Sequence, residues 1–310
     1  MKKKFIGIIG TGNISQQYVD IFKKIGIKID IVCARNKKKL KVFSLKNKIP
    51  KYTNNINNIL SEKLDGLVVC VSPESSLLVA KKILNFKGKI LFEKPVGLNY
   101  KESSLIYKIQ KHKNSFFVAL NRRYYRSVLD SKNFLNRSKE KKFISITDQE
   151  NTLKAKELGH HKLTIKNWMF ANSVHLVDLI NFYIKSKINK IEKKTKFYNS
   201  SKIYFSKIYF KNGDIVEFNS FWNRPAPWKI DISLKDNFIQ LKPIEAVKYL
   251  NSNRRELSQN KLDKKDRDFK PGFYRQCEDF KKEMYNKKNN LVNLKEYINT
   301  VSLVEKLFFN

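Results

Sequence analysis

The first twenty-six residues constrain this chain more than any others. Phe5-Ile6-Gly7-Ile8-Ile9-Gly10 is a short apolar run, and Gly10-Thr11-Gly12 breaks it. Asn13–Ile25 then sets Ile14, Tyr18, Val19, Phe22 and Ile25 on one helical face, with Gly26 as the C-cap. The same alternation continues through further apolar runs at Lys28–Ala34, Gly66–Ser72, Lys89–Glu93 and Ser115–Asn121, with helical patterns at Ser75–Phe86 and Tyr100–His112. Short apolar strands separated by amphipathic helices require crossovers, which in one sheet are right-handed. The expectation is an α/β domain over residues 1–124: a doubly wound parallel sheet covered on both faces.

The pattern changes after a helical stretch at Tyr125–Asn136. Strand-like runs follow at Phe143–Glu150, Lys190–Tyr198, Ile203–Phe210, Ile215–Trp222, Trp228–Leu234 and Phe238–Pro243. Several are separated by short turns such as Lys211-Asn212-Gly213-Asp214, the mark of antiparallel pairing. Helices are predicted at Trp168–Tyr183, Gly272–Tyr285 and Leu294–Phe308, and a flexible loop at the polar tract Asn251–Lys270. Residues 125–310 therefore read as an α+β domain with a largely antiparallel open sheet, its last helices able to pack back on the first domain.

A strand, a glycine turn and a helix start suit a dinucleotide. The first glycine makes the turn, the second lets the backbone approach the pyrophosphate, and the phosphate rests on the helix N-terminus. Gly10, Thr11, Gly12, Asn13 and Ile14 are the candidate contacts, and Ser15 stands where the fingerprint has its third small residue. A carboxylate about twenty residues beyond the glycines would bond the ribose of NAD. Ala34 occupies that place instead, followed by Arg35 and Lys38. A small residue beside a guanidinium leaves room for a 2′-phosphate and favours NADP over NAD.

The formal charge of +36 is the loudest bulk number. A nucleic-acid footprint gathers Lys and Arg on one face or in one tract. Here lysine is spread along the chain together with a surplus of Asn and Ile, which favours a solvated basic surface over a nucleic-acid site. Such a field still speeds the approach of anionic ligands. Cys33, Cys70 and Cys277 share no metal or redox spacing and read as free thiols of a reducing compartment. The basic, apolar N-terminus is broken at Gly10 before it makes a signal peptide, and no segment approaches the roughly 20 apolar residues of a membrane span. A cytoplasmic protein is expected.

Glu93-Lys94-Pro95 closes a strand at the carboxyl edge of the first sheet, where open α/β sheets bind ligands. A lysine partly desolvated beside a nicotinamide suits proton exchange near neutral pH. Five motifs together are similar to the glucose–fructose oxidoreductase / inositol dehydrogenase / MocA family: Gly10-x-Gly12, Val71-Ser72-Pro73, Glu93-Lys94-Pro95, Asn121-Arg122-Arg123 and His175-Leu176-Val177-Asp178. The likeness covers residues 1–126 and 168–183 and, loosely, the Phe273-Tyr274…Phe280 helix.

That resemblance implies hydride exchange between NAD(P) and a carbon of a sugar or sugar derivative, with Lys94 exchanging the hydroxyl proton and His175 orienting or assisting. It implies that Val71, Ser72 and Pro73 lie by the nicotinamide, that Glu93 positions cofactor and lysine, and that the Lys94–Pro95 peptide is cis. A homodimer or homotetramer through the second sheet is implied as well.

One departure stands out. Many relatives carry Asp four residues before the histidine, where this chain has Ala171 followed by Asn172. The pattern then lies nearer to branches acting on nucleotide-activated or carboxylated sugars. Further substrate candidates are Arg122, Arg123, Asn172 and Tyr274. Trp222-Asn223-Arg224 and Trp228 either line a sugar pocket or pack the sheet. His160-His161, in an expected loop, lack partners for a metal site. Asp178 either holds the His175 ring or makes a surface contact. The alternatives kept open are NADPH-dependent reduction of a non-sugar carbonyl or imine, and a non-catalytic dinucleotide- or nucleic-acid-binding protein.

Overall fold

The computed structural model describes residues 3–110, 115–253, 258–259 and 263–309. Two compact units emerge, Met1–Leu120 with Phe273–Ile298 and Asn121–Gly272 with Asn299–Asn310.

The first unit is a Rossmann-type sheet. Its strands are β1 Phe5–Ile9, β2 Lys28–Cys33, β3 Lys51–Thr53, β4 Gly66–Val69, β5 Lys89–Glu93 and β6 Phe116–Ala119. They lie parallel in the order β6-β5-β4-β1-β2-β3, and Val292–Asn293 adds an antiparallel edge beside β6. Chain order reverses beside β1, between its neighbours β4 and β2, which makes the carboxyl end of β1 the switch point of the sheet. Strands buried on both faces read as unbroken apolar runs, as β4 does with Leu67, Val68 and Val69 fully buried. Helix Asn13–Lys24 lays Tyr18 and Phe22 against helix Phe273–Met284, through Phe273 at 5.1 Å and Phe280 at 6.1 Å between ring centroids.

The second unit holds β7 Phe143–Glu150, β8 Ile188–Tyr198, β9 Ser201–Phe210, β10 Ile215–Trp222, β11 Lys229–Ser233, β12 Asn237–Leu241, β13 Val247–Asn251 and β14 Ser258–Gln259. Their order is β14-β13-β12-β11-β7-β10-β9-β8, antiparallel throughout except where β7 meets β10. Burial alternates along β7 and β10, so Ile144, Ile146, Asp148 and Glu150 share one buried face of β7. Phe308 closes part of this core against Tyr204, Phe218 and Trp222 at 4.8–5.9 Å.

Several local expectations give way. The tract expected as a loop contains β14 and helix Lys264–Asp268, while its residues 254–257 and 260–262 lie outside the described set. A tertiary contact orders it: the buried Asp266 carboxylate accepts from the amides of Arg126 (2.7 Å) and Gly272 (2.9 Å). His160 and His161 do lie in a loop, the short connection between helices Thr152–Glu157 and Lys162–Lys166, and His161 Nδ1 caps the second by accepting from Leu163 N. The helix predicted at Trp168–Tyr183 begins with a π-turn at Met169–Ser173 and becomes α-helical only over Val174–Tyr183. Among the described residues no helix is long and apolar enough to cross a membrane.

Candidate active site

The glycine turn sits at the switch point of the first unit. Gly10 has φ +114°, and a Cβ there would stand 2.0 Å from the Cys70 carbonyl oxygen. Only glycine fits. Gly12 caps helix Asn13–Lys24, and a Cβ on it would meet nothing within 4 Å, so the approach to the helix N-terminus is open. Thr11 and Ile14 are half-buried and Asn13 exposed around this opening, with Ser15 fully buried beneath it. These features fit a dinucleotide pyrophosphate: a backbone that can be approached closely, and amides aimed outward at the positive end of a helix. Beyond β2, Ala34 is half-buried, its amide donating to Thr53 O at 3.2 Å, while Arg35 and Lys38 are exposed.

The loops after β4 and β5 are tied to each other. Ser76 Oγ donates to Pro73 O at 2.7 Å and accepts from Gly97 N at 3.0 Å, joining the Val71-Ser72-Pro73 turn to the Glu93-Lys94-Pro95 turn. Ser103 Oγ donates to Val96 O, and Val96 N donates to Tyr297 Oη. The Lys94–Pro95 peptide is cis, and Glu93 and Lys94 are half-buried. Tyr18 Oη donates to Glu93 Oε1 at 2.6 Å and itself accepts from Gln276 Nε2 at 2.9 Å. Burial, and then the Glu93 carboxylate, push the Tyr18 phenol well above its usual range, so it stays a donor. Tyr274 is half-buried near the start of helix Phe273–Met284.

The second unit gathers the remaining candidates. His175, 2% exposed, lies in helix Val174–Tyr183 just after the π-turn. One turn on, Asp178 takes both ends of the Arg123 fork, Nε to Oδ2 at 2.6 Å and Nη2 to Oδ1 at 2.7 Å, and accepts from Thr300 Oγ1 at 2.9 Å. The surface reading of Asp178 is therefore corrected: it is a buried ion-pair partner. Arg123, a substrate candidate, has its Nε and Nη2 committed to this ion pair. Arg122 behaves differently and lines a cavity of about 620 Å³ with Tyr125, Trp228, Lys242 and Lys248.

A second cavity of about 490 Å³ is lined by Glu150, Asn172, Trp168, His160 and, again, Trp228. Glu150 accepts from Trp168 Nε1, Asn172 Nδ2 and Ser173 Oγ at 2.5, 2.8 and 3.2 Å. Its strand neighbour Asp148 accepts from Ser220 Oγ at 2.6 Å. Burial raises both carboxyls, and their proximity raises Glu150 further. Two carboxylates so placed cannot both ionise cheaply, so the pair keeps its proton to a higher pH than a lone carboxyl would. Trp222 is buried and donates to Ser220 Oγ, the packing alternative for that residue. Among the described residues no group of three His, Cys, Asp or Glu side chains is placed to hold a metal.

Residues 4–120 match the model of the Gfo/Idh/MocA oxidoreductase family, described as NAD-binding with a Rossmann fold. The match covers the first unit's parallel sheet and shows that domain to be of the Gfo/Idh/MocA NAD-binding type. It is an NAD(P)-dependent oxidoreductase. Among solved structures, it is similar to the UDP-N-acetylglucosamine 3-dehydrogenase of Acidithiobacillus ferrooxidans, at 12% identity over 99% of this chain and 97% of that one, with TM-score 0.80. A levoglucosan dehydrogenase complexed with NADH and L-sorbose matches at 12% identity over 99% and 96%, with TM-score 0.82. An oxidoreductase from Agrobacterium radiobacter bound to NAD+, L-tartaric acid and magnesium matches at 13% over 98% and 95%, with TM-score 0.78. At these identities the likeness is one of fold, and it extends through both units. Among curated proteins, none matches by sequence.

The residues of these turns and cavities least visible in the sequence are Tyr18, Ser76, Asp148 and Glu150. Tyr18 reads as one more apolar-face residue of the first helix, and only its phenol, out of place in a core, hints at a polar partner. Asp148 and Glu150 follow Ile144 and Ile146 at the same parity, which is the signal that they point into the buried face.

Proposed function

We propose that this oxidoreductase transfers a hydride between a nicotinamide dinucleotide and a hydroxyl-bearing carbon of a sugar or sugar derivative, nucleotide-activated or carboxylated. The observation that carries this reading is the placement of the Gly10 turn after β1 and Lys94 after β5 on one carboxyl edge of the same sheet. When bound, the nicotinamide supplies the hydride acceptor or donor. Lys94 takes the proton of the reacting hydroxyl in oxidation and returns it in reduction. Glu93, held by Tyr18, fixes the strand end that carries the lysine, and Ser76 keeps the two neighbouring turns in register. His175 orients the reacting hydroxyl, as the family likeness implies. Arg35 and Lys38 beside the small Ala34 favour NADP over NAD.

The exposed aromatics Tyr198 and Phe205, which share one face of β8 and β9, suit a self-association face, hence a homodimer or homotetramer. The buried thiols of Cys33 and Cys277, in no disulfide, suit a cytoplasmic enzyme. The test is a panel of free sugars, carboxylated sugars, nucleotide-sugars and imines, followed by nicotinamide absorbance with NADH and NADPH, on wild type and Lys94→Ala. Turnover of a sugar-type substrate, reduced by about 10²–10⁴ in the variant with cofactor binding retained, is the expected result. Intact turnover in Lys94→Ala, or turnover of imines alone, overturns the reading.

A further inference from the structure

We infer that the cavity around Arg122 is a subsite for a diphosphate, the anionic part of a nucleotide-activated sugar. The inference rests on the sugar-oxidoreductase reading for the rest of the substrate, while the anion site stands on its own residues, all within the second unit.

Arg122 is the centre of it. Its guanidinium lies 5.6 Å from the Tyr125 ring centroid and 5.1 Å from that of Trp228, so two aromatic faces hold its plane. Its Nη1 donates to Asn121 Oδ1 at 3.1 Å, but its buried Nε has no hydrogen-bond partner among the described residues. A guanidinium lining the cavity can make charge-assisted hydrogen bonds to an anion held there. Arg123, the next residue in the chain, shows the contrast, with its fork filled by Asp178.

Charge and size then choose the anion. Lys242 and Lys248 join Arg122 around the cavity against one carboxylate, Glu245. A lone carboxylate needs one bidentate arginine, whereas three cations around one space match the two charges of an esterified diphosphate. A cavity of about 620 Å³ also exceeds what a carboxylate fills.

The neighbouring cavity gives the sugar its place. Trp228 lines both spaces, and its Nε1 donates to Gln149 O at 2.7 Å, which fixes the ring as their common wall. The neighbouring cavity carries one lysine, Lys154, against the three cations of the cavity around Arg122, and adds Glu150, Asn172 and His160 as groups able to hydrogen-bond hydroxyls. A ligand with an anionic end and a hydroxyl-rich end therefore has one direction in which to lie.

The test titrates inorganic pyrophosphate, and separately glucuronate, into the full chain saturated with NAD+, by isothermal titration calorimetry. Saturation keeps pyrophosphate from the Gly10 turn. Wild type is compared with Lys242→Gln/Lys248→Gln and with a charge-matched control, Lys108→Gln/Lys166→Gln, at exposed positions lining neither cavity. Pyrophosphate affinity is expected to fall about tenfold or more in the first variant and to stay near wild type in the control. An equal fall in both makes the binding bulk attraction to a basic surface and overturns the inference. So does no fall in either, or a loss confined to glucuronate, which would make the subsite one for carboxylates. A separate NADH fluorescence titration reports on the oxidoreductase reading; its failure leaves the comparison of the lysine variants intact.

Discussion

Removing the Asp178 carboxylate should cost this protein a large part of the stability of its second unit. The side chains of Arg123 and Asp178 are 8% and 1% exposed, and the pair is bidentate at 2.6 and 2.7 Å. Asp178→Ala leaves the guanidinium buried without its counter-charge and deprives Thr300 of its acceptor. Breaking one side of a buried pair costs about 3–5 kcal/mol. For a unit of this size that is a drop of roughly 6–20 °C in Tm. Removing both charges is different: Arg123→Met with Asp178→Leu fills the space with apolar groups, and such swaps are often neutral. Calorimetric melts of the two single variants and the double variant form the cycle, and the double should recover at least about 2 kcal/mol of the single losses. A shift under about 2 °C for Asp178→Ala, or a double variant no better than either single, refutes the reasoning. A role for Asp178 in orienting His175 would show instead as lost turnover in Asp178→Asn at an unchanged Tm.

Three further outcomes follow from the geometry. Gly10→Ala forces a Cβ against the Cys70 carbonyl in left-handed backbone, so NADH binding measured by fluorescence should be lost together with about 1–3 kcal/mol or more of stability; unchanged NADH affinity refutes the turn's role. Tyr18→Phe removes the Glu93 hydrogen bond and leaves Gln276 Nε2 without this acceptor, costing about 1–3 kcal/mol in denaturant melts and lowering kcat; an unchanged melt and kcat would make the phenol incidental. Glu150→Gln tests the shared proton. The folded protein retains a proton that the unfolded chain releases near about pH 4, so this contribution is full below that pH and is lost as pH rises through the raised native value. Glu150→Gln does not titrate at that position, so it should gain stability relative to wild type as pH rises, and parallel Tm–pH curves would rule the shared proton out.

The fold was largely legible because its strongest signals are local. The apolar runs of β1, β4 and β5 are buried on both faces, so every residue in them answers to one constraint, and the Gly10 turn answers to a steric one. Elements answering to weaker constraints escaped. Helix Lys37–Lys46 rests on Leu40 and Phe43 alone among a run of lysines, and β3 has no buried residue. Helix Lys264–Asp268 exists where it does because Asp266 reaches two amides brought there by the rest of the chain, one of them at Arg126. No window of sequence contains that contact.

The same distinction separates the candidate residues of the first unit from those of the second. Lys94 stands out as a candidate in the sequence because Glu93, Lys94 and Pro95 close a strand within three residues and accompany the four other motifs. The carboxylate missing at Ala171 was judged by a four-residue spacing along one helix, which is also a local criterion. In the folded second unit, Glu150 arrives from β7 and is bound by Asn172 and Ser173, the two residues that follow Ala171. A carboxyl group is thus present at the π-turn although the helix motif lacks one. It differs in kind from an aspartate on the helix, because burial around it and Asp148 beside it raise its carboxyl above the usual range. A spacing rule counts side chains along the backbone, whereas acid–base chemistry depends on which groups share a desolvated space, and β7 and the π-turn lie close in space though about twenty residues apart in sequence.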